Sequence, residues 1–109
     1  MKTTGEFILF GKQIAEWEWY EADAGKWKAE IHQYTHPNGH KTNGYMTAKQ
    51  YAVSQNSKHF DIEVSVNYKL IQIRVEVKDH TNAMKWAEEI LMKQIMHGAT
   101  EYVMAGPYM

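Results

Sequence analysis

The chain has no cysteine in its 109 residues. That absence excludes a disulfide framework and a thiolate zinc site, and it fits a reducing cytosol, the compartment we expect. Long apolar runs are also missing. The first one, Phe7 to Phe10, is far shorter than the apolar core of a secretion signal or the ~20 residues of a membrane span. No membrane role is expected.

Charge of one sign is equally scarce. Twelve basic and 13 acidic residues leave a formal net charge of −1, and Arg74 is the single arginine. Nucleic-acid affinity rests largely on Lys and Arg neutralising phosphates, so nucleic acid is a disfavoured partner. The near-balance also argues against an acidic mimic of DNA. Low-complexity runs, repeats and linkers are absent. With 44% hydrophobic residues the chain reads as one globular domain, residues 1–109.

What is present is alternation. Phe60, Ile62, Val64 and Val66 alternate with Asp61, Glu63, Ser65 and Asn67; Ile71, Ile73, Val75 and Val77 alternate with Gln72, Arg74, Glu76 and Lys78. Period two means a strand with one buried and one wet face. The two runs predict an antiparallel hairpin, with Val66 opposite Ile71 and residues 67–70 as its loop. A slip by one residue would bury the charges. Ala15, Trp17 and Trp19, followed after a turn by Trp27, Ala29 and Ile31, predict a second hairpin. Its glutamates are expected opposite Lys26 and Lys28. Phe7 to Phe10 reads as an earlier strand, or as the start of the same one with Gly11 as a bulge.

A helix follows residue 78. Asp79 or Thr81 is suited to cap it, and Gly98 to end it. Ala83, Met84, Ala87, Ile90, Leu91 and Ile95 form its apolar stripe, with Gln94 near the centre. Glu101 to Met104 reads as a last short strand. Residues 45–57 fit two descriptions. Thr47 and Gln50 have the spacing of a capping box, which favours a short helix over a strand from Tyr45 to Val53. The expected fold is therefore α+β: an antiparallel sheet of four or five strands, covered on one face by a C-terminal helix, with a short central helix.

Chemistry-bearing constellations are few. His32, His36 and His40 are spaced by four, but Pro37 and Gly39 break any helix that would align them. No metal site is assigned. The serines lack a nucleophile elbow, and His59 with Asp61 has no nucleophile beside it. No catalytic residue and no cofactor is assigned, and the chain is read as a non-enzyme.

The residues that stand out are suited to contact. Glu16-Trp17-Glu18-Trp19-Tyr20 reads first as a half-buried strand and second as an aromatic partner-binding surface, since Trp and Tyr dominate interface hot spots. Met92 and Met96 lie one turn apart on the helix side away from the stripe, where they would suit an adaptable interface or a homodimer seam. The expected partner-binding set is thus Glu16, Trp17, Glu18, Trp19, Tyr20, Met92 and Met96. The function expected from it is docking on a larger protein as a regulator or inhibitor. In its most concrete form this is a phage-type inhibitor of a host defence nuclease. One alternative is a ligand or nucleotide pocket formed by the Trp row, Tyr34, Tyr45 and the histidines. Another is weak nucleic-acid binding through Lys69, Arg74 and Lys78.

Overall fold

The computed structural model describes residues 3–9, 11–35, 41–66 and 69–105. Its strands are β1 (Thr3–Leu9), β2 (Lys12–Asp23), β3 (Lys26–Thr35), β4 (Lys41–Val53), β5 (Lys58–Val66) and β6 (Lys69–Val77), followed by the helix α1 (His80–Ala105). The strands form one antiparallel sheet in sequential order, a six-stranded meander. The α+β architecture is as expected. The strand count is higher, and the central helix is replaced by β4.

The replacement has a physical cause. Met46 and Ala48 are fully buried while Tyr45, Thr47 and Lys49 alternate on the other side, and the segment has a strand partner on each edge. Two ladders of hydrogen bonds outweigh a local capping pattern. The backbone N–H of Gln50 is spent across the sheet, on the Gly25 carbonyl at 2.8 Å.

Alternation then divides each strand between two faces. One face carries Ala15, Trp17, Trp19, Ala29, Ile31, Met46, Ala48, Phe60, Ile62, Val64 and Val66, and α1 lays Ala83, Met84, Ala87, Leu91 and Ile95 on it. All of these are buried, in one continuous cluster. Each large aliphatic or aromatic side chain in it contributes roughly 1.5–3 kcal/mol of transfer free energy. Gln94 is only half-buried, at the flank of the stripe rather than its centre.

The turns follow residue chemistry. Gly11 and Gly25 have φ of 76° and 75°, the left-handed region that side chains resist. Gly11 therefore sits in the connection between two separate strands, β1 and β2. The β5–β6 register places Val64 opposite Ile71 and Val66 opposite Lys69. The expected pairing of Val66 with Ile71 is off by two residues. Because two is the side-chain period, the buried face is unchanged. Asn67 and Tyr68 lie outside the described residues.

Asp79 caps α1: its Oδ1 accepts the backbone N–H of Asn82 at 3.0 Å and the Asn82 side-chain amide at 3.0 Å. The Trp27 ring stacks on His80, centroids 4.3 Å apart and planes within 4°, and ties the start of α1 to β3. The helix runs through Gly98 to Ala105, so neither the stop at Gly98 nor the tail strand is formed. One interior glycine costs about 1 kcal/mol, which a 26-residue helix absorbs. No helix among the described residues is long and apolar enough to cross a membrane.

Candidate functional site

β2 splits the expected partner-binding set in two. Trp17 and Trp19 point under α1 and retain 5% and 1% of their exposure. Both indole N–H groups donate to one carboxylate oxygen of Glu88 on α1, at 2.6 and 3.2 Å. This corrects the expectation of a partner-facing Trp row. The indoles are core, and their polar edges are satisfied from the helix, as buried indoles require. Glu16, Glu18 and Tyr20 alternate with them and lie exposed on the opposite, uncovered face.

That face carries the candidate site. Strand pairing aligns Glu6 with Glu16 across β1 and β2, and Glu18 with Glu30 across β2 and β3. The glutamates therefore do not oppose the lysines as expected. Tyr20 opposes Lys28 in the regular register, and the bulge between Glu21 and Asp23 sets Lys26 opposite Asp23. The result is an open depression of about 830 Å³ over β1–β3, lined by Glu6, Glu16, Glu18 and Glu30 with Gln13 and Tyr20 among its walls. Among the described residues, no lysine or arginine lines it. Gln13 donates to Glu6, and Lys28 sits 4.0 Å from Glu30 at the margin.

The neighbouring half of the same face is mixed in charge. A smaller depression there, of about 450 Å³, is lined by Lys26, Lys49 and Arg74 together with Asp61 and Glu63. Arg74 Nε donates to Asp61 at 2.9 Å, and Gln72 donates to Glu63 at 3.0 Å. Tyr45 adjoins this row. Partial burial raises its phenol above the ordinary value of 10.0, and the Glu63 carboxylate, which accepts its hydrogen bond, adds to the rise. Tyr45 therefore serves as a neutral donor at physiological pH.

At the far end of the sheet, Ser54 Oγ and His59 Nε2 are 2.6 Å apart. A hydroxyl thus lies beside His59, which the sequence did not lead us to expect, while Asp61 is engaged by Arg74. The neighbours of the His59 ring include Tyr51, at 5.9 Å between centroids. No group of three metal-ligating side chains occurs among the described residues. His36 and His40 lie outside them.

Of the helix residues expected at an interface, Met92 is half-buried and Met96 is 44% exposed. Sequence reasoning missed Trp86, which is 47% exposed on the same outer side as Lys93. Its signal was available, because Trp86 faces away from Met84, Leu91 and Ile95 when 100° is allotted to each residue. It also missed Glu88, a lone carboxylate on the helix side that carries Met84 and Leu91. Comparison with protein-family models, with curated proteins and with solved structures finds no match, so the geometry alone carries the functional reading.

Proposed function

We propose that the chain is a non-enzymatic protein-binding module that regulates or inhibits a larger partner, docking through the uncovered face of β1–β3. The observation that carries this reading is the convergence of four glutamates on one concave surface, with Tyr20 beside them and no lysine or arginine in the lining among the described residues. A net charge of −1 for the whole chain hides this segregation. A concave acidic face steers a basic partner into register and repels acidic ones. Tyr20 supplies the rigid, amphipathic contact that anchors such interfaces.

The complementary surface is rich in Lys and Arg. Enzymes that handle nucleic acids carry such surfaces over their substrate channels. A phage-type inhibitor seated in the channel of a defence nuclease is the most concrete form of the proposal. The same carboxylates repel phosphate, so this face does not favour a nucleotide or nucleic-acid ligand.

The test compares immobilised wild-type protein with the double variant Glu16→Lys, Glu18→Lys. Both are exposed to lysate of the source organism and of its host, and captured proteins are identified by mass spectrometry. We expect one stoichiometric partner with a basic surface, released by raised salt and bound about tenfold or more weakly by the variant. A partner retained equally by both proteins overturns the reading.

A further inference from the structure

Among the described residues nothing pairs with the outer edge of the sheet at β6, which carries the charges Lys69, Arg74 and Glu76. Natural sheets blunt such edges with bulges, proline, short strands or charged side chains. The opposite edge does so: β1 is seven residues long and its register with β2 shifts between Phe7 and Ile8. Pairings β2–β3, β3–β4 and β4–β5 carry shifts as well. The β5–β6 ladder carries none over its nine residue pairs. β6 contains no proline, and its inward row of Ile71, Ile73, Val75 and Val77 is only half-buried.

We infer that β6 pairs with β6 of a second copy of this chain, antiparallel about a two-fold axis through Val75. Every axis through a residue of β6 keeps the inward row on one side, and Ile73, Arg74 and Val75 are the central choices. Centring on Arg74 sets two guanidinium groups head to head. Centring on Ile73 places Arg74 opposite Gln72 and Glu76 opposite Leu70. Centring on Val75 places Arg74 opposite Glu76 of the other copy, twice, and sets Ile73 against Val77. Cross-strand pairs of opposite charge favour a register, and like charges oppose it.

The existing ladder extends this logic. Across one chain, Lys49 pairs with Asp61 and Asp61 with Arg74, an alternation of charge that ends at the edge on a cation. Arg74 is 73% exposed there, paired with Asp61 and lying over the Tyr51 ring at 4.9 Å from its centroid. Glu76 of the second copy is the next anion in the row, followed by its own neighbour His59. The two sheets would join into one continuous sheet with both helices on the same side. This surface is distinct from the acidic depression over β1–β3, so either proposal stands without the other.

Light scattering on purified wild type, Glu76→Arg and the charge swap R74E/E76R tests the pairing. Circular dichroism melting verifies that each is folded. We expect a dimer for the wild type at micromolar concentration, at least tenfold weaker association for Glu76→Arg, and recovery in the swap, which restores both opposite-charge pairs. Val75→Cys provides a second measurement. The chain has no other cysteine, so mild oxidation should link two copies through this position alone. A monomeric wild type overturns the inference. So does a dimer that survives Glu76→Arg and is not captured by Val75→Cys, an outcome that moves the seam elsewhere, such as the outer side of α1.

Discussion

Glu88 is the residue on which two core tryptophans depend. Its carboxylate accepts both indole N–H groups from β2, the longest reach in sequence among the hydrogen bonds described. Removing one partner from a part-buried pair strands the other, at a cost of about 1–3 kcal/mol for each stranded group. Glu88→Ala, which strands both indoles, should therefore lower stability by roughly 2–6 kcal/mol, read by urea denaturation followed through Trp fluorescence. Glu88→Gln keeps an acceptor and should lose less than half as much. Equal loss in the two variants would show that the negative charge, rather than a neutral acceptor or the filling of space, holds the indoles. The sequence marks Glu88 only indirectly, as a charge on an apolar helix side, and nothing local reveals that its partners lie on β2. Alternation does assign Trp17 and Trp19 to one face and Glu16, Glu18 and Tyr20 to the other. Which face faces the helix is decided by the apolar stripe of α1, so the composition of the pentapeptide points to contact while its period points to the core.

At the scale of elements, the strongest periods were the most legible. β5 and β6 read directly from their alternation, and a register displaced by two residues left every side chain on its correct face. β4 did not read directly, because the pattern around Thr47 and Gln50 suits a helix locally and the decisive pairings with β3 and β5 are remote. The start of α1 was legible in chemistry, with Asp79 the capping side chain of the two candidates. Asp79→Ala should cost about 1 kcal/mol, since the Asn82 amide loses its acceptor. A lowered melting temperature with unchanged secondary structure is the expected readout, and Asp79→Asn or Asp79→Ser should restore most of it. The end of α1 was not legible, because a glycine near a helix terminus reads as a stop even where the helix continues.

Across the whole molecule, strand order follows chain order, and α1 packs chiefly against β4, β5 and β6. β1 is an edge with a shifted register and no comparable helix cover. Native-state hydrogen exchange should therefore reveal a gradient. Amides of β5 and of the buried part of α1 should exchange most slowly, through global unfolding, and those of β1 fastest, through local opening. Uniform protection across the sheet would contradict this picture. The charge segregation on the uncovered face belongs to the same scale. It arises from two pairings, β1 with β2 and β2 with β3, that stack glutamates into one region, and composition alone averages it away.

The position of α1 after all six strands has a consequence for the nascent chain. Every strand pairs with the one made just before it, so the sheet can assemble while synthesis is under way. The cover for its apolar face is made afterwards. At about 5–20 residues per second, the helix needs roughly 1–5 s to emerge. During that interval Trp19, Met46, Phe60 and Ile62 face water or whatever binds them first. Translation speed over the helix codons, and chaperone capture before they are read, therefore govern how much of the chain reaches its folded form.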